Sequence, residues 1–264
     1  MTGLIDIGLN LMHKSFDKNR EEIIHNAESA GVSQFIITGT SVYSSKTALE
    51  YAKDEKWEGT LFSTVGVHPH DAKTCDENTI DILREFSREN CVVAIGECGL
   101  DYNRNYSPQD VQREWFENQV KLAQELDMPL FLHERDAHDD MVKILSKYPD
   151  MCEKAVIHCF TGTKEEAEKY IELGCNIGVT GWICDERRGQ SLQEAVTVIP
   201  PERMMIETDA PFLIPRNFPK KPKSNKNKPE YLPHILNTIA EYKSCDSEEL
   251  GEKVSQTTRN FFKI

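Results

Sequence analysis

Histidine and carboxylate side chains stand at the ends of five short apolar runs of this sequence. They are His68 and His70 in GVHPHD (66–71), Glu97 in VVAIGEC (92–98), His133 in PLFLHE (129–134), His158 in AVIHCF (155–160), and Glu207 with Asp209 in MMIETDA (204–210). Imidazole nitrogens and carboxylate oxygens are common ligands of divalent cations in proteins. Because such a cation activates water for hydrolysis, these residues favour metal-assisted chemistry.

Other catalytic schemes have weaker support in the sequence. It contains no GxSxG nucleophile motif, no GxxxxGK[ST] phosphate loop and no convincing dinucleotide fingerprint. Cys98 and Cys159 each adjoin a candidate ligand, but neighbouring residues of a strand point to opposite faces. Metal-assisted chemistry therefore remains the leading class.

Eight apolar, β-branched runs alternate with longer amphipathic segments along the chain. The runs are 4–9, 34–40, 61–67, 92–98, 129–134, 155–160, 176–181 and 204–210. Because they are almost continuously apolar, they are typical of strands buried on both faces of a parallel sheet. Local start and stop signals mark four helices: 16–30 after Ser15, a helix after Pro108, 163–173 before Gly174, and 192–199 before Pro200.

Eight strand-helix units in 264 residues predict an α/β chain folded as one (β/α)₈ TIM barrel over 1–264, with a doubly wound open sheet as the alternative. Active-site groups of barrels lie at the carboxyl ends of the strands. Two positions at each of eight strand ends make roughly 16 positions. At the frequency of histidine in this chain, about half a histidine is expected there by chance, but four are found. Their convergence on one rim favours a shared site, with Glu97 as a candidate bridging ligand and Asp209 as a ligand or proton acceptor.

The composition indicates an acidic enzyme of a reducing compartment. The chain carries 44 acidic and 31 basic residues and a net charge of −13, which disfavours nonspecific attraction to nucleic acid or anionic membranes. Its eight cysteines lack CxxC spacing, which is typical of reduced thiols. No uncharged apolar stretch approaches 18 residues, and no basic region precedes the first apolar run. We therefore expect a cytoplasmic protein with no membrane partner.

Nine motifs of the chain resemble, in order and spacing, those of a known enzyme family. They are IDIGLN, ITGT, GVHPHD, AIGECGLDYNRN, PLFLHERDAH, HCFTGT, GVTGWICDERRG, IETDAP and LPHI. From about residue 4 to 240 the chain resembles the TatD family of metal-dependent deoxyribonucleases, and its sixth and seventh motifs are similar to the central members of that family. The resemblance implies a TIM barrel that hydrolyses phosphodiester bonds of DNA, typically as a 3′–5′ exonuclease, with RNA as an open alternative. It also implies one or two divalent ions, Mg²⁺ first, with Mn²⁺ or Zn²⁺ as alternatives.

The resemblance assigns roles to four residues at the strand ends. The metal-binding glutamate of the family falls on Glu97, its two later histidines fall on His133 and His158, and its aspartate falls on Asp209. Glu97 and Asp209 are then the catalytic residues, and Asp209 orients or deprotonates the attacking water.

The chain departs from the family pattern at three places. Many members carry HxH on strand 1, which supplies two metal ligands, but Gly8 and Asn10 stand there in this chain. Glu134 stands where a cysteine often follows the histidine, and KNKP (226–229) replaces the common RNEP. The last change is expected to alter substrate contacts.

A second set of residues is expected to bind the substrate: His68, His70, Arg187, Arg188 and Lys226. The two histidines would contact phosphate or the leaving group, with direct ligation of a metal as the alternative. Residues 216–228 hold six basic side chains and no acidic one, namely Arg216, Lys220, Lys221, Lys223, Lys226 and Lys228. Because barrels often bind phosphate after strand 8, this segment is expected to follow the nucleic-acid backbone; a solvated loop is the alternative.

Two other functions are compatible with a barrel of this kind. The first is a metal-dependent amidohydrolase for a small amide, ester or lactone, which the missing HxH and the glutamate at the end of strand 4 disfavour. The second is a catalytically silent binding scaffold, which the complete set Glu97, His133, His158 and Asp209 disfavours. The leading expectation is a monomeric nuclease.

Overall fold

The computed structural model describes residues 3–220 and 222–264, and its centre is a sheet of eight parallel strands. Each strand pairs with the next along the chain: β1 (Leu4–Leu9), β2 (Val32–Ile37), β3 (Leu61–Val65), β4 (Val92–Asp101), β5 (Leu130–Arg135), β6 (Ala155–His158), β7 (Asn176–Val179) and β8 (Met204–Ile206). A parallel bridge between Leu9 and Ala210 joins the segment after β8 to β1. The sheet is therefore a nearly closed barrel, which confirms the predicted TIM barrel and excludes the open sheet.

Helices surround the barrel and connect successive strands. The α-helices of the described residues are α1 (Arg20–Ser29), α2 (Val42–Ala52), α3 (Thr79–Phe86), α4 (Gln109–Leu126), α5 (His138–Leu145), α6 (Pro149–Cys152), α7 (Lys164–Glu172), α8 (Gln190–Ala195), α9 (Leu232–Lys243) and α10 (Ser247–Phe262). Within the described ranges, no helix combines the length and the apolar character that crossing a membrane requires.

The predicted helix over 16–30 begins later than expected. A 3₁₀ turn, Lys14–Phe16, precedes it, and the Ser15 backbone N–H donates to His13 Nδ1 at 3.1 Å. Ser15 therefore lies inside this turn, and the prediction that it caps α1 is wrong; the residue before α1 is Asn19. The predicted end is confirmed, because Gly31 follows with a φ of +95°.

Helix α4 holds the ends of two strands in place. Gln112 and Gln119 are buried on its inner face. The Gln112 side chain accepts a hydrogen bond from the Asp101 backbone N–H at 2.8 Å, and Gln119 accepts one from the Val67 N–H at 2.8 Å. These amides satisfy backbone groups where the sheet ladder ends, so they fix the positions of the segments that follow β3 and β4.

In the described residues, the buried apolar side chains form two separate clusters. The larger one lies between the strands and the surrounding helices. The smaller one contains strand residues such as Ile7, Phe131 and Met205 together with Phe262 from the end of α10. The candidate site lies at the carboxyl end of the barrel, beyond these two clusters.

Candidate metal centre

Three imidazole rings surround one carboxylate oxygen at the mouth of the barrel. Glu97 Oε1 lies 2.8 Å from His158 Nε2, 3.0 Å from His133 Nδ1 and 3.3 Å from His68 Nε2. Glu97 comes from β4, His133 from β5 and His158 from β6, whereas His68 follows β3. Four consecutive segments of the barrel therefore direct polar atoms at one point, as the strand ends predicted.

Two glycines allow β4 to present its glutamate. Gly96 and Gly99 have φ values of +142° and +139°, a region that L side chains rarely adopt. A Cβ on Gly96 would lie 2.1 Å from Phe131 O, and one on Gly99 would lie 2.0 Å from His133 O. Close contact of β4 with β5 thus requires glycine on both sides of Glu97 and Cys98, and this contact places Glu97 beside His133.

A second carboxylate, Asp101, holds two of the histidines. Its Oδ2 lies 2.9 Å from His70 Nε2 and 3.1 Å from His133 Nε2, and its Oδ1 accepts the Arg104 backbone N–H at 2.8 Å. His133 therefore lies between two carboxylates, Glu97 and Asp101. The sequence prediction ended strand 4 at residue 98 and missed Asp101; its position four residues after Glu97, in GECGLD, is the signal that could have identified it.

Glu207 holds His158 in the same way as Asp101 holds His133. Glu207 Oε2 lies 3.1 Å from His158 Nδ1, and Glu207 Oε1 accepts the Cys159 backbone N–H. The Glu207 side chain is fully buried. A Cβ on Gly8 would lie 2.1 Å from one of its oxygens, and a Cβ on Gly178 would lie 2.6 Å from the other. Gly8 in strand 1 thus provides the space that this carboxylate occupies.

His68 differs from the other two imidazoles in its hydrogen bonds. The His70 backbone N–H donates to His68 Nδ1 at 3.0 Å, so the hydrogen of the neutral ring lies on Nε2, the atom that faces Glu97. Burial lowers the pKa of His68 to about 4 despite the nearby Glu97 carboxylate, which keeps the ring neutral. His68 is therefore arranged as a hydrogen-bond donor toward the centre of the site.

His133 and His158 instead have the pattern of metal-binding histidines. One ring nitrogen of each faces Glu97, and the other faces a further carboxylate, that of Asp101 or Glu207. A histidine that binds a metal commonly donates its second N–H to a carboxylate. Burial by itself lowers the pKa of both imidazoles, but the adjacent carboxylates outweigh it and raise the pKa of His133 and, more strongly, that of His158.

Asp209 lies beside this group, held by a residue that follows strand 1. Asn10 Nδ2 donates to Asp209 Oδ1 at 2.8 Å, and the Asp209 backbone N–H donates to Gly8 O at 2.8 Å. Burial, together with the negative charges of Glu97 and Glu207, raises the pKa of Asp209 to about 7. In contrast, burial raises the pKa of Glu97 less than the neighbouring imidazoles lower it, so the pKa of Glu97 lies well below its ordinary value.

Asp6 is a buried carboxylate that the sequence prediction missed. Its Oδ1 accepts the backbone N–H groups of Thr208 at 2.9 Å and Gly8 at 3.3 Å, and its Oδ2 accepts the Thr208 hydroxyl. The contact ties the segment after β8 to β1, with Glu207 and Asp209 on either side of Thr208. Asp6 therefore positions both carboxylates without facing the cavity.

The donor set fits a divalent cation. The ligand atoms of His68, Glu97 and His133 all lie within 4.8 Å of one another, and Glu97, with its low pKa, supplies a negative charge among imidazole nitrogens. Imidazole and carboxylate together suit Zn²⁺ and Mn²⁺, and carboxylate suits Mg²⁺. These groups line a cavity of about 490 Å³ that also includes Asp209 and Asn10.

The other predicted substrate residues lie in two different settings. His70 lines the cavity, whereas Arg187, Arg188 and Lys226 are exposed on the surface. Arg187 and Arg188 both pair with the buried Asp185, at 3.3 and 3.2 Å. The Arg188 guanidinium lies 4.5 Å from the ring centre of Trp182, which lines the cavity. The arginines are therefore next to the cavity wall.

Lys226 lies on a segment that the structure attaches to the end of β8. Its neighbour Asn227 is fully buried, and Asn227 Nδ2 donates to Thr208 O at 2.8 Å. Lys226 itself does not line the cavity. Among the six basic residues of 216–228, Lys221 lies outside the described residues.

Comparison with known proteins identifies the family of the chain. Residues 5–263 match the family model of TatD related DNases. A protein from Pantoea sp. (strain At-9b), named 3′-5′ ssDNA/RNA exonuclease TatD, is 45% identical over 262 residues, which cover 99% of this chain and 100% of the relative. One of the same name from Cronobacter sakazakii (strain ATCC BAA-894) is 47% identical over 243 residues, covering 92% and 91%.

A solved structure of a TatD homolog has the same fold as this chain. The crystal structure of a TatD homolog from Escherichia coli k12 superposes with a TM-score of 0.90 at 25% sequence identity, covering 99% of this chain and 98% of that one. The resemblance seen in the sequence motifs is thus confirmed. This chain belongs to the family of TatD related DNases.

Proposed function

We propose that this protein is a divalent-metal-dependent exonuclease that hydrolyses phosphodiester bonds of single-stranded DNA and RNA from the 3′ end. One observation carries the proposal: a charged, buried glutamate stands among three imidazoles at the mouth of a barrel of the nuclease family. The polarity and the choice of substrate rest on the names of the relatives, which are 42% or more identical over 91% or more of their length.

The ligand set proposed from the sequence is Glu97, His133, His158 and Asp209, holding one or two ions, with Mg²⁺ as the first candidate. The carboxylate partners of the two histidines support their part in this set. A divalent ion bound there supplies Lewis acidity toward a phosphoryl oxygen and makes water a stronger acid. Asp101 and Glu207 then keep His133 and His158 in the orientation that directs one nitrogen to the ion.

The remaining polar groups bind the substrate and move the proton. Asp209 lines the cavity beside Glu97 and is placed to accept a proton from the attacking water, and Asn10 holds the carboxylate in place. We assign the Nε2–H group of His68 to a phosphate oxygen on the substrate side. Ligation of the ion is the alternative, because a ring nitrogen of His68 lies within 4.8 Å of the ligand atoms of Glu97 and His133. His70, held by Asp101, faces the same cavity and contacts the leaving group.

The basic residues outside the cavity are proposed to hold the nucleic-acid backbone. Arg187, Arg188 and Arg216 all lie within 4 Å of the Asp185 carboxylate, so one buried anion gathers three guanidinium groups beside Trp182. Lys226 lies on the neighbouring segment. Their combined charge offsets, locally, the net charge of −13.

The amidohydrolase and scaffold alternatives have less support. Family membership and the names of the relatives favour phosphodiester hydrolysis over cleavage of an amide or lactone. A silent scaffold would not need the buried, charged Glu97 among imidazoles. We also propose that the enzyme works as a monomer in the cytoplasm, where the eight free cysteines would stay reduced.

Single-stranded DNA labelled at the 5′ or the 3′ end tests the proposal. With Mg²⁺, Mn²⁺ or Zn²⁺, we expect the 5′-labelled strand to shorten stepwise and the 3′-labelled strand to release its label at once, and EDTA to stop both reactions. A panel of amides and lactones serves as the comparison. Intact DNA together with cleavage of a member of the panel would contradict the nuclease assignment.

A further inference from the structure

Two aromatic side chains are exposed at the rim of the cavity. Four large hydrophobic side chains of the described residues are strongly exposed: Tyr43 at 78%, Tyr106 at 55%, Phe212 at 49% and Tyr242 at 43%. Tyr43 and Phe212 line the cavity that contains Glu97. Since exposed aromatic rings gain nothing from core packing, two of them at the mouth of one cavity indicate a surface for a ligand.

The two rings lie on one side of the barrel. Tyr43 stands in the first turn of α2, after β2, and Phe212 follows β8. His13, which follows β1 between them, contacts Phe212 edge to face with ring centres 5.4 Å apart. Strands β8, β1 and β2 are neighbours in the barrel. The aromatic rim therefore spans three consecutive strand ends, and the segment that carries His68 adjoins it after β3.

The side chains on this side of the cavity suit a nucleobase better than a phosphate. Besides Asp209 on the floor, the lining residues that follow β8, β1 and β2 include no carboxylate, lysine or arginine within the described part of the chain. Examples are Asn10, Met12, Thr40, Tyr43 and Phe212. Apart from His13, this side offers a phosphate no side chain that can carry a positive charge, whereas an uncharged, flat heterocycle can stack on the rings.

We propose that Tyr43 and Phe212 stack on the unpaired bases at the end of the nucleic acid while its terminal phosphodiester lies at Glu97. The inference rests on the proposed function and adds the feature that selects single strands. Every base has a face that can stack, so the rim accepts any sequence. In a duplex only the outer face of the last pair is uncovered, and pairing holds each base against its partner strand, so the end must open before successive bases can use the rim.

The test compares an ordinary single-stranded oligonucleotide with one whose last three 3′ nucleotides are abasic tetrahydrofuran residues. The two substrates share their phosphates and differ in bases alone. The enzyme is expected to cleave the ordinary strand with a kcat/KM on the order of 10-fold higher. Tyr43→Leu and Phe212→Leu are each expected to lower kcat/KM on the ordinary strand severalfold, chiefly through KM, and to leave the rate on the abasic strand unchanged.

Three further variants make the result specific. Tyr43→Phe and Phe212→Tyr keep an aromatic ring and are expected to keep the preference for bases. Tyr242→Leu removes a similarly exposed tyrosine of α9 that does not line the cavity, and is expected to behave like the unaltered enzyme. Equal rates on both substrates, or equal losses on both in the leucine variants, would overturn the stacking role. Failure of the unaltered enzyme to cleave either substrate would instead refute the proposed function.

Discussion

A Glu97→Gln variant is expected to lose nuclease activity by a factor on the order of 1,000 or more, above the 10- to 100-fold typical of residues that only orient metal ligands. Glutamine keeps the shape of the side chain but removes the charge around which His68, His133 and His158 are arranged. It also introduces N–H donors among three imidazoles. Initial rates with single-stranded DNA and Mn²⁺ binding measured by calorimetry would both show the loss.

Glu134→Gln provides the matched control for this variant. Glu134 is also a buried carboxylate on β5, next to His133, but its side chain is directed to the Ala137 backbone N–H at 2.8 Å and the Tyr170 hydroxyl at 3.3 Å. We expect its activity to stay within about 10-fold of the unaltered enzyme. If Glu97→Gln retained comparable activity, the glutamate would not be at the centre of the reaction.

An Asp209→Asn variant is expected to lower kcat by about 10²- to 10⁴-fold, the usual contribution of a general base, while it reduces Mn²⁺ affinity less than Glu97→Gln does. Asparagine fills the same space beside Asn10 but cannot accept a proton. Single-turnover rates at saturating Mn²⁺, together with the affinity for the ion, separate the two roles assigned to this residue.

The contrary outcome for Asp209 is equally clear. If Asp209→Asn lost Mn²⁺ as completely as Glu97→Gln and regained its rate when the ion was supplied in excess, Asp209 would act as a ligand alone. Proton transfer would then require another group of the cavity.

The fold was largely predictable because the strand signal was strong. Buried parallel strands produce long apolar runs, and the order of eight such runs leaves few topologies. Errors arose where local chemistry overrode the pattern. Ser15 was predicted to be the N-cap of α1. Instead, the His13 side chain caps a 3₁₀ turn that contains Ser15, so α1 begins only after this turn. Similarly, strand 4 was predicted to end at residue 98, whereas Gly96 and Gly99 allow it to continue to Asp101.

The sequence predicted which residues line the candidate site better than it predicted the hydrogen bonds that hold them. The residues at strand ends, from Glu97 to Asp209, follow from barrel geometry. Asp101 and Glu207 stand near strand ends and could be identified from the sequence. Their bonds to His133 and His158, like the bond of Asp6 to Thr208, join distant segments and are not encoded by any spacing in the sequence. The same holds for the rim, since Tyr43 and Phe212 are 169 positions apart in the chain and share only the cavity.

Anomalous scattering from crystals grown with Mn²⁺ tests the central claim most directly, because it locates the ion and its ligands together. We expect a peak within about 2.3 Å of the Glu97 carboxylate and of an imidazole nitrogen of His133 or His158. His68 is expected to remain bonded to the His70 backbone N–H and outside the coordination shell. A peak away from Glu97 in active enzyme, or none at all, would contradict a metal centre at this site.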